Sequence, residues 1–237
     1  MRSKLERMAH PLDNLTHLFF PRYCAGCEVA LHFHEQSICV HCLIRLPRLK
    51  MHEEREHKLE KLFWGRCDVS QVTAFLRMSR KGLTHRLIHE LKYDHNPHLG
   101  IVLGRLFGAE LRNSPSWKKI DALIPVPLHP RKERERGYNQ SYQIALGMAE
   151  AMRIPVYRHA LKRNEYTQTQ TKKSRIDRWK NVDEIFTFNK ELLENHNNIL
   201  IIDDVITTGA TIEACVNTIL KESKARIHIA ALAMPIR

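Results

Sequence analysis

Apolar residues along the chain fall into patterns with different periods, and each pattern predicts an element. Val72, Ala74, Leu76 and Met78 alternate with more polar neighbours, which predicts a strand within residues 69–78. Leu83, Leu87, Ile88 and Leu91 then fall on one helical face. Leu99, Val102, Leu103, Leu106 and Leu111 continue with a period near 3.6, a second helix. From Asp121 the order becomes strand, loop, helix. Residues 122–126 are a short apolar strand stopped by Pro127; a basic loop follows, then a helix over 141–152. Ile199, Leu200, Ile201 and Ile202 form the unbroken apolar run of a strand buried on both faces. A helix over 210–222 and an apolar strand over 227–234 complete the pattern. Strands alternating with helices predict an α/β fold with a parallel sheet flanked by helices.

The first 66 residues do not share this pattern. They hold a cluster of cysteines and then a polar stretch, residues 50–61, dense in Glu, His, Lys and Arg, which reads as a linker or a solvated helix. Two units follow: residues 1–66, a small four-cysteine module with its linker, and residues 67–237, the α/β domain.

Composition narrows the function classes. The sequence of 237 residues contains no run of about 18 uncharged apolar residues, so no membrane span is expected. Residues 1–18 mix charged and apolar side chains and lack the apolar core of a signal peptide. A cytoplasmic location is the resulting expectation. The formal charge of +12 points to anionic partners, phosphates or nucleic acid, or simply to a basic solvated surface. The excess lies before residue 198; residues 198–237 are balanced at four basic and four acidic side chains.

Cys24-x2-Cys27 and Cys39-x2-Cys42 are separated by eleven residues. Each pair forms a tight knuckle whose sulfurs converge, and two knuckles complete the tetrahedron of a structural Zn2+ site. Four thiolates leave no open coordination position, so the expected role is structural. His32, His34 and His41 stand nearby and are not needed as ligands. Cys67 and Cys215 stand apart, Cys215 on a helical face with Ile212 and Ile219 that reads as core.

The segment Ile201-Ile202-Asp203-Asp204-Val205-Ile206-Thr207-Thr208-Gly209-Ala210-Thr211 carries the most chemistry. A buried strand ends in two carboxylates, and a Thr/Gly turn leads into a helix. Free N–H groups and the helix dipole make such a turn a phosphate cradle. Adjacent carboxylates can accept hydrogen bonds from the vicinal hydroxyls of a ribose. Strand ends are where parallel α/β sheets bind ligands.

This segment resembles the phosphoribosyl-pyrophosphate (PRPP) signature of type I phosphoribosyltransferases. The resemblance implies that Asp203 and Asp204 hold the ribose hydroxyls and that the turn of Thr207, Thr208, Gly209, Ala210 and Thr211 holds the 5-phosphate. A second string, Ile124-Pro125-Val126-Pro127 followed by His129, Arg131, Arg134 and Arg136-Gly137-Tyr138-Asn139-Gln140, resembles the ComF/GntX family, as do Leu87-Ile88, Leu91-Lys92-Tyr93 and the cysteine cluster. By position, residues 125–131 are expected to form the loop that meets pyrophosphate in the wider family. Arg131, Arg134 and Arg136 suit bidentate phosphate contacts. Residues 158–180, which include Lys172, Lys173 and Arg175, are expected to form a basic mobile loop that meets pyrophosphate or a nucleic-acid backbone.

The ComF resemblance implies a cytoplasmic protein of DNA uptake in natural transformation. It would handle single-stranded DNA beside a DNA-translocating helicase and a recombination mediator, and bind PRPP or a related ribose 5-phosphate ligand. The alternative is an active Mg2+-dependent phosphoribosyltransferase with an unidentified acceptor. No segment reads as nucleobase recognition, and no catalytic residue is assigned.

Overall fold

The computed structural model describes residues 21–54, 57–164 and 185–235. After the cysteine module, with its short helix α1 (Val40–Ile44), come α2 (Lys58–Lys61), β1 (Gln71–Met78), α3 (Leu83–Tyr93) and α4 (Pro97–Asn113). Then follow β2 (Ala122–Pro125), α5 (Pro130–Arg136), α6 (Gln140–Met152), β3 (Leu161–Arg163) and β4 (Phe186–Phe188). The chain continues through β5 (Asn198–Val205), α7 (Ala210–Leu220) and β6 (Arg226–Pro235).

Four strands form one parallel sheet in the order β1-β6-β5-β2. The unbroken apolar run of β5 lies beside β6, with Ile201 opposite Ile229, and Asp203 opposite Ala231 towards the C-terminal end of β5. Alternation distributes each strand between two cores. Leu200, Ile202, Ala230 and Leu232 face a cluster shared with α3, α4, α6 and the cysteine module. Ile199, Ile201, Ile227, Ile229 and Ala231 face a second cluster with α7, Leu59 and Phe63. The predicted parallel α/β sheet with a small cysteine module is therefore the fold observed.

Two helices on the first face approach closely. A Cβ built on Gly104 would lie 2.1 Å from the Ile144 carbonyl oxygen, and one on Gly147 would lie 2.0 Å from that of Ile101. Only glycine permits this contact, which fixes α6 against α4 and thereby the position of Ser141 at the start of α6.

Three differences from the sequence reading bear on the site. Residues 50–61 are not a purely solvated linker: His52 and Leu59 are buried, and residues 57–66 lie along the second core. The basic loop after β2 is in part a helix, α5, with Pro130 at its start and Gly137 at φ 78° closing it. The expected mobile loop begins with β3, which pairs antiparallel with β4; Lys172, Lys173 and Arg175 lie outside the described residues. Among the described residues no helix is long and apolar enough to cross a membrane.

Candidate functional site

The strand β5 delivers Asp203 and Asp204 to the C-terminal edge of the sheet. Part of Asp203 reaches the surface, but its carboxyl group is enclosed. Its Oδ1 accepts from Ser141 Oγ at 3.0 Å and from the Asp204 backbone N–H at 2.8 Å. Burial, together with the neighbouring Asp204 carboxylate, pushes the Asp203 carboxyl up to about 7; its two donors and Lys92 oppose the shift without cancelling it. Lys92 Nζ stands 3.0 Å from Asp204 Oδ2, with both side chains largely buried.

Ser141 and Lys92 reach the carboxylates because of the residues that resembled a family signature. Gly137 ends α5 in the left-handed conformation. Tyr138 Oη donates to the Leu91 carbonyl at 2.7 Å and ties this turn to the end of α3. Asn139 caps α6, accepting from the Tyr142 N–H, while its Nδ2 donates to the Val126 carbonyl at the end of β2. Arg136 donates to Gln140 Oε1 at 2.8 Å and lies over the Tyr93 ring at 5.3 Å. The string Gly137-Tyr138-Asn139-Gln140 is thus a brace that joins β2, α3 and α6 around the carboxylate pair.

The Thr/Gly turn follows. Gly209 takes φ 75° at the start of α7 and offers no side-chain cap, while the Ala210 N–H donates to Thr208 Oγ1 at 3.5 Å. A Cβ on Gly209 would meet the Phe63 ring at 3.0 Å. Arg66 Nη1 donates to the Thr208 carbonyl at 2.8 Å, and its Nη2 pairs with Glu213 in the first turn of α7. Thr207 and Thr208 are exposed. They help line a cleft of ≈ 1210 Å³ together with Met51, Leu62, Met78 and Met234 and with His57 and Arg80.

The candidate arginines are less convergent. Arg131 is mostly exposed and pairs with Glu135 on its own helix. Glu133, on the same helix, is taken by Arg158 at 2.7 Å. Arg136 joins the brace beside the carboxylates through Gln140 and the Tyr93 ring.

The four cysteines converge as their spacing predicts: one sulfur from each lies within 4.8 Å of the others, a group able to hold a metal ion. Cys27 and Cys39 sulfurs are 3.7 Å apart, and none of the four is in a disulfide. The Gly26 and Cys39 amides each donate to Cys24 Sγ at 3.3 Å, and the Cys42 amide donates to Cys39 Sγ. Burial opposes ionisation of Cys24, but the amides of Cys39, Gly26 and Cys27 outweigh it and bring the thiol down to about 7. Burial raises Cys39 and Cys42. A Cβ on Gly26 would lie 2.9 Å from Cys42 Sγ, so the knuckles close only over a glycine there. Cys215 is buried in the core, as read, and burial pushes Cys67 up to about 11.

No family model matches the chain. Full-length similarity is found with competence protein F of Haemophilus influenzae, 26% identical over 225 residues, 91% of this chain and 98% of that protein. DNA utilization protein YhgH of Escherichia coli O157:H7 is 29% identical over 146 residues, 60% of this chain and 63% of that protein. Competence protein ComFC of Bacillus subtilis is 32% identical over 103 residues, 44% of this chain and 40% of that protein. The chain is similar to competence proteins F and ComFC over these stretches. Among solved structures, glutamine PRPP amidotransferase from B. subtilis, complexed with ADP and GMP, aligns at TM-score 0.42 and 24% identity, over 61% of this chain and 30% of that one.

Three residues of this site were missed in the sequence: Ser141, Lys92 and Arg66. Lys92 lay within a string already singled out, but sequence spacing alone does not bring α3 to the end of β5.

Proposed function

We propose that this chain serves DNA uptake in natural transformation, handling single-stranded DNA and binding PRPP or a related ribose 5-phosphate at Asp203, Asp204 and the turn of residues 207–211. The names of its relatives, competence proteins F and ComFC and a DNA utilization protein, support the first half of this reading. One observation carries the second half: paired carboxylates at the end of a central strand, followed by a Thr/Gly turn with exposed threonines at the start of a helix. The carboxylates accept from the ribose 2- and 3-hydroxyls, while the amides and hydroxyls of the turn receive the 5-phosphate.

The four thiolates hold Zn2+ as a closed structural centre. Reduced, clustered thiols fit a cytoplasmic setting, where disulfides are rare. Arg131, Arg134 and Arg136, with Lys172, Lys173 and Arg175 beyond the described residues, supply cations for the DNA backbone. A DNA-translocating helicase and a recombination mediator are the partners this role requires.

The cleft beside Thr207 and Thr208 favours a second reading, that of an active phosphoribosyltransferase. Its apolar wall would accept a flat acceptor next to the ribose-phosphate, with Mg2+ carried on the pyrophosphate of PRPP.

Fluorescence anisotropy of a single-stranded oligonucleotide, at two salt concentrations and with or without PRPP and Mg2+, tests the reading. Binding that weakens steeply with salt supports DNA handling through phosphates. A change on adding PRPP supports the ribose-phosphate site. Absence of binding under every condition would sink the DNA half and direct attention to pyrophosphate release with base acceptors.

A further inference from the structure

Lys92 occupies the space beside Asp204 where a divalent cation would sit if the carboxylates held one directly. Magnesium at phosphate sites is bound by one or two carboxylates with waters and ligand phosphates. Here Asp204 already carries the Lys92 ammonium at 3.0 Å, the two side chains being 14% and 23% exposed. Asp203 Oδ1 is engaged by two donors, Ser141 Oγ and the Asp204 N–H. A dication on this pair would share Asp204 with the Lys92 ammonium, and like charges at such a distance repel strongly away from bulk water. The protein residues therefore do not fit magnesium as a direct partner of the carboxylate pair.

We propose that Lys92 is the resident cation of the ribose site. It neutralises the carboxylate pair from within the chain, so that a ribose 5-phosphate binds without a divalent metal. An ammonium has three donors. One is spent on Asp204, and two remain for hydroxyl or phosphate oxygens of a ligand. The backbone beside Lys92 is held in place: the carbonyl of the preceding Leu91 accepts from Tyr138, and the following Tyr93 lies under Arg136. The end of α3 thus presents Lys92 from a fixed backbone, while the four-carbon stem lets the ammonium adjust between Asp204 and a ligand. The inference rests on the reading of Asp203 and Asp204 as the ribose acids.

The test is calorimetric titration of the full chain with ribose 5-phosphate, which lacks the pyrophosphate that would itself chelate a metal. Wild type is compared in EDTA and in Mg2+, alongside Lys92→Met and Lys92→Arg, with thermal melts to confirm folding. Wild-type affinity is expected to change less than about threefold between the two buffers. Loss of a charge-assisted hydrogen bond in Lys92→Met is expected to weaken binding in EDTA by about ten- to a hundredfold, with Lys92→Arg between the two. Wild-type binding that appears only with Mg2+ would overturn the inference while leaving the ribose site intact. So would a folded Lys92→Met that binds as wild type in EDTA. Absence of binding in either buffer would remove the ribose reading and this inference with it. The wild-type comparison decides the matter even if Lys92→Met does not fold.

Discussion

Arg66 donates to the Thr208 carbonyl at 2.8 Å and orients the turn that begins α7. In a trans peptide the C=O and N–H point in opposite directions. Directing the Thr208 carbonyl at Arg66 therefore turns the Gly209 N–H away from it. The same guanidinium pairs with Glu213, an acid in the first turn of α7 that would otherwise repel a phosphate. Leu62 and Phe63, from the same segment, pack on Gly209. The residues that follow the cysteine module thus shape the candidate phosphate turn.

Arg66→Gln should accordingly weaken ribose 5-phosphate binding by about tenfold, the size of one charge-assisted hydrogen bond. Adding Glu213→Gln should recover part of the loss, because the uncompensated acid is then gone. Titration calorimetry of both variants reads this directly. Wild-type affinity in Arg66→Gln would show that the turn holds its shape without the guanidinium.

Asp203 gives the site a pH dependence. Burial, reinforced by Asp204, raises its carboxyl from 3.8 to about 7, against the pull of Lys92 and the two donors; Cys215 is the other titratable group close enough to feel its charge. An ionised Asp203 is the better acceptor for a ribose hydroxyl, so affinity should rise through about pH 7 and level off roughly one pH unit above it. Between pH 4 and 7 the native carboxyl keeps a proton that the unfolded chain has lost. Stability therefore falls as pH rises through that window. Asp203→Asn should bind weakly at all pH values and lose this part of the fall in melting temperature. Parallel profiles for the two proteins would refute the assignment.

Much of this site is legible in the sequence because its main parts are contiguous. The run from Ile201 to Thr211 encodes strand, acids, turn and helix start in one stretch, and the two Cys-x2-Cys pairs encode their own convergence. Lys92, Ser141 and Arg66 are not legible, since each reaches Asp204, Asp203 or Thr208 from a distant element placed by tertiary packing. Two other misreadings had signals available. Pro130 and Gly137 bracket α5 in the expected helix pattern, and Leu59 with Phe63 repeats at the i, i+4 spacing of a buried face. Charge density in residues 50–61 outweighed that apolar spacing, although Leu59 and Phe63 are both buried.

The cysteine module should contain about one equivalent of zinc per chain, measured by atomic absorption on protein purified without added metal. Cys24, Ala25, Ile38, Cys39, Cys42 and Leu46 join the core cluster that also contains α3 and α4. Zinc removal should therefore lower the melting temperature of the whole chain, beyond loosening residues 21–46. Cys39→Ser should lose most of the metal. Protein that carries no zinc and melts as before would refute a structural metal centre.

Replacement of Gly147 tests how far the site depends on close helix packing. A methyl group there would lie 2.0 Å from the Ile101 carbonyl oxygen, against backbone that no side-chain rotation can clear. Gly147→Ala should force α6 away from α4 and cost about 1–3 kcal/mol, the usual penalty of overpacking, read as a shift in denaturant midpoint. Because Ser141 opens α6 and donates to Asp203 at 3.0 Å, the displacement should also weaken ribose 5-phosphate binding. Ser141→Ala separates the two effects: it removes the hydroxyl without disturbing the helix contact. A Gly147→Ala protein that is destabilised but binds as wild type would mean that the first turn of α6 holds its place through the brace of Arg136, Tyr138, Asn139 and Gln140.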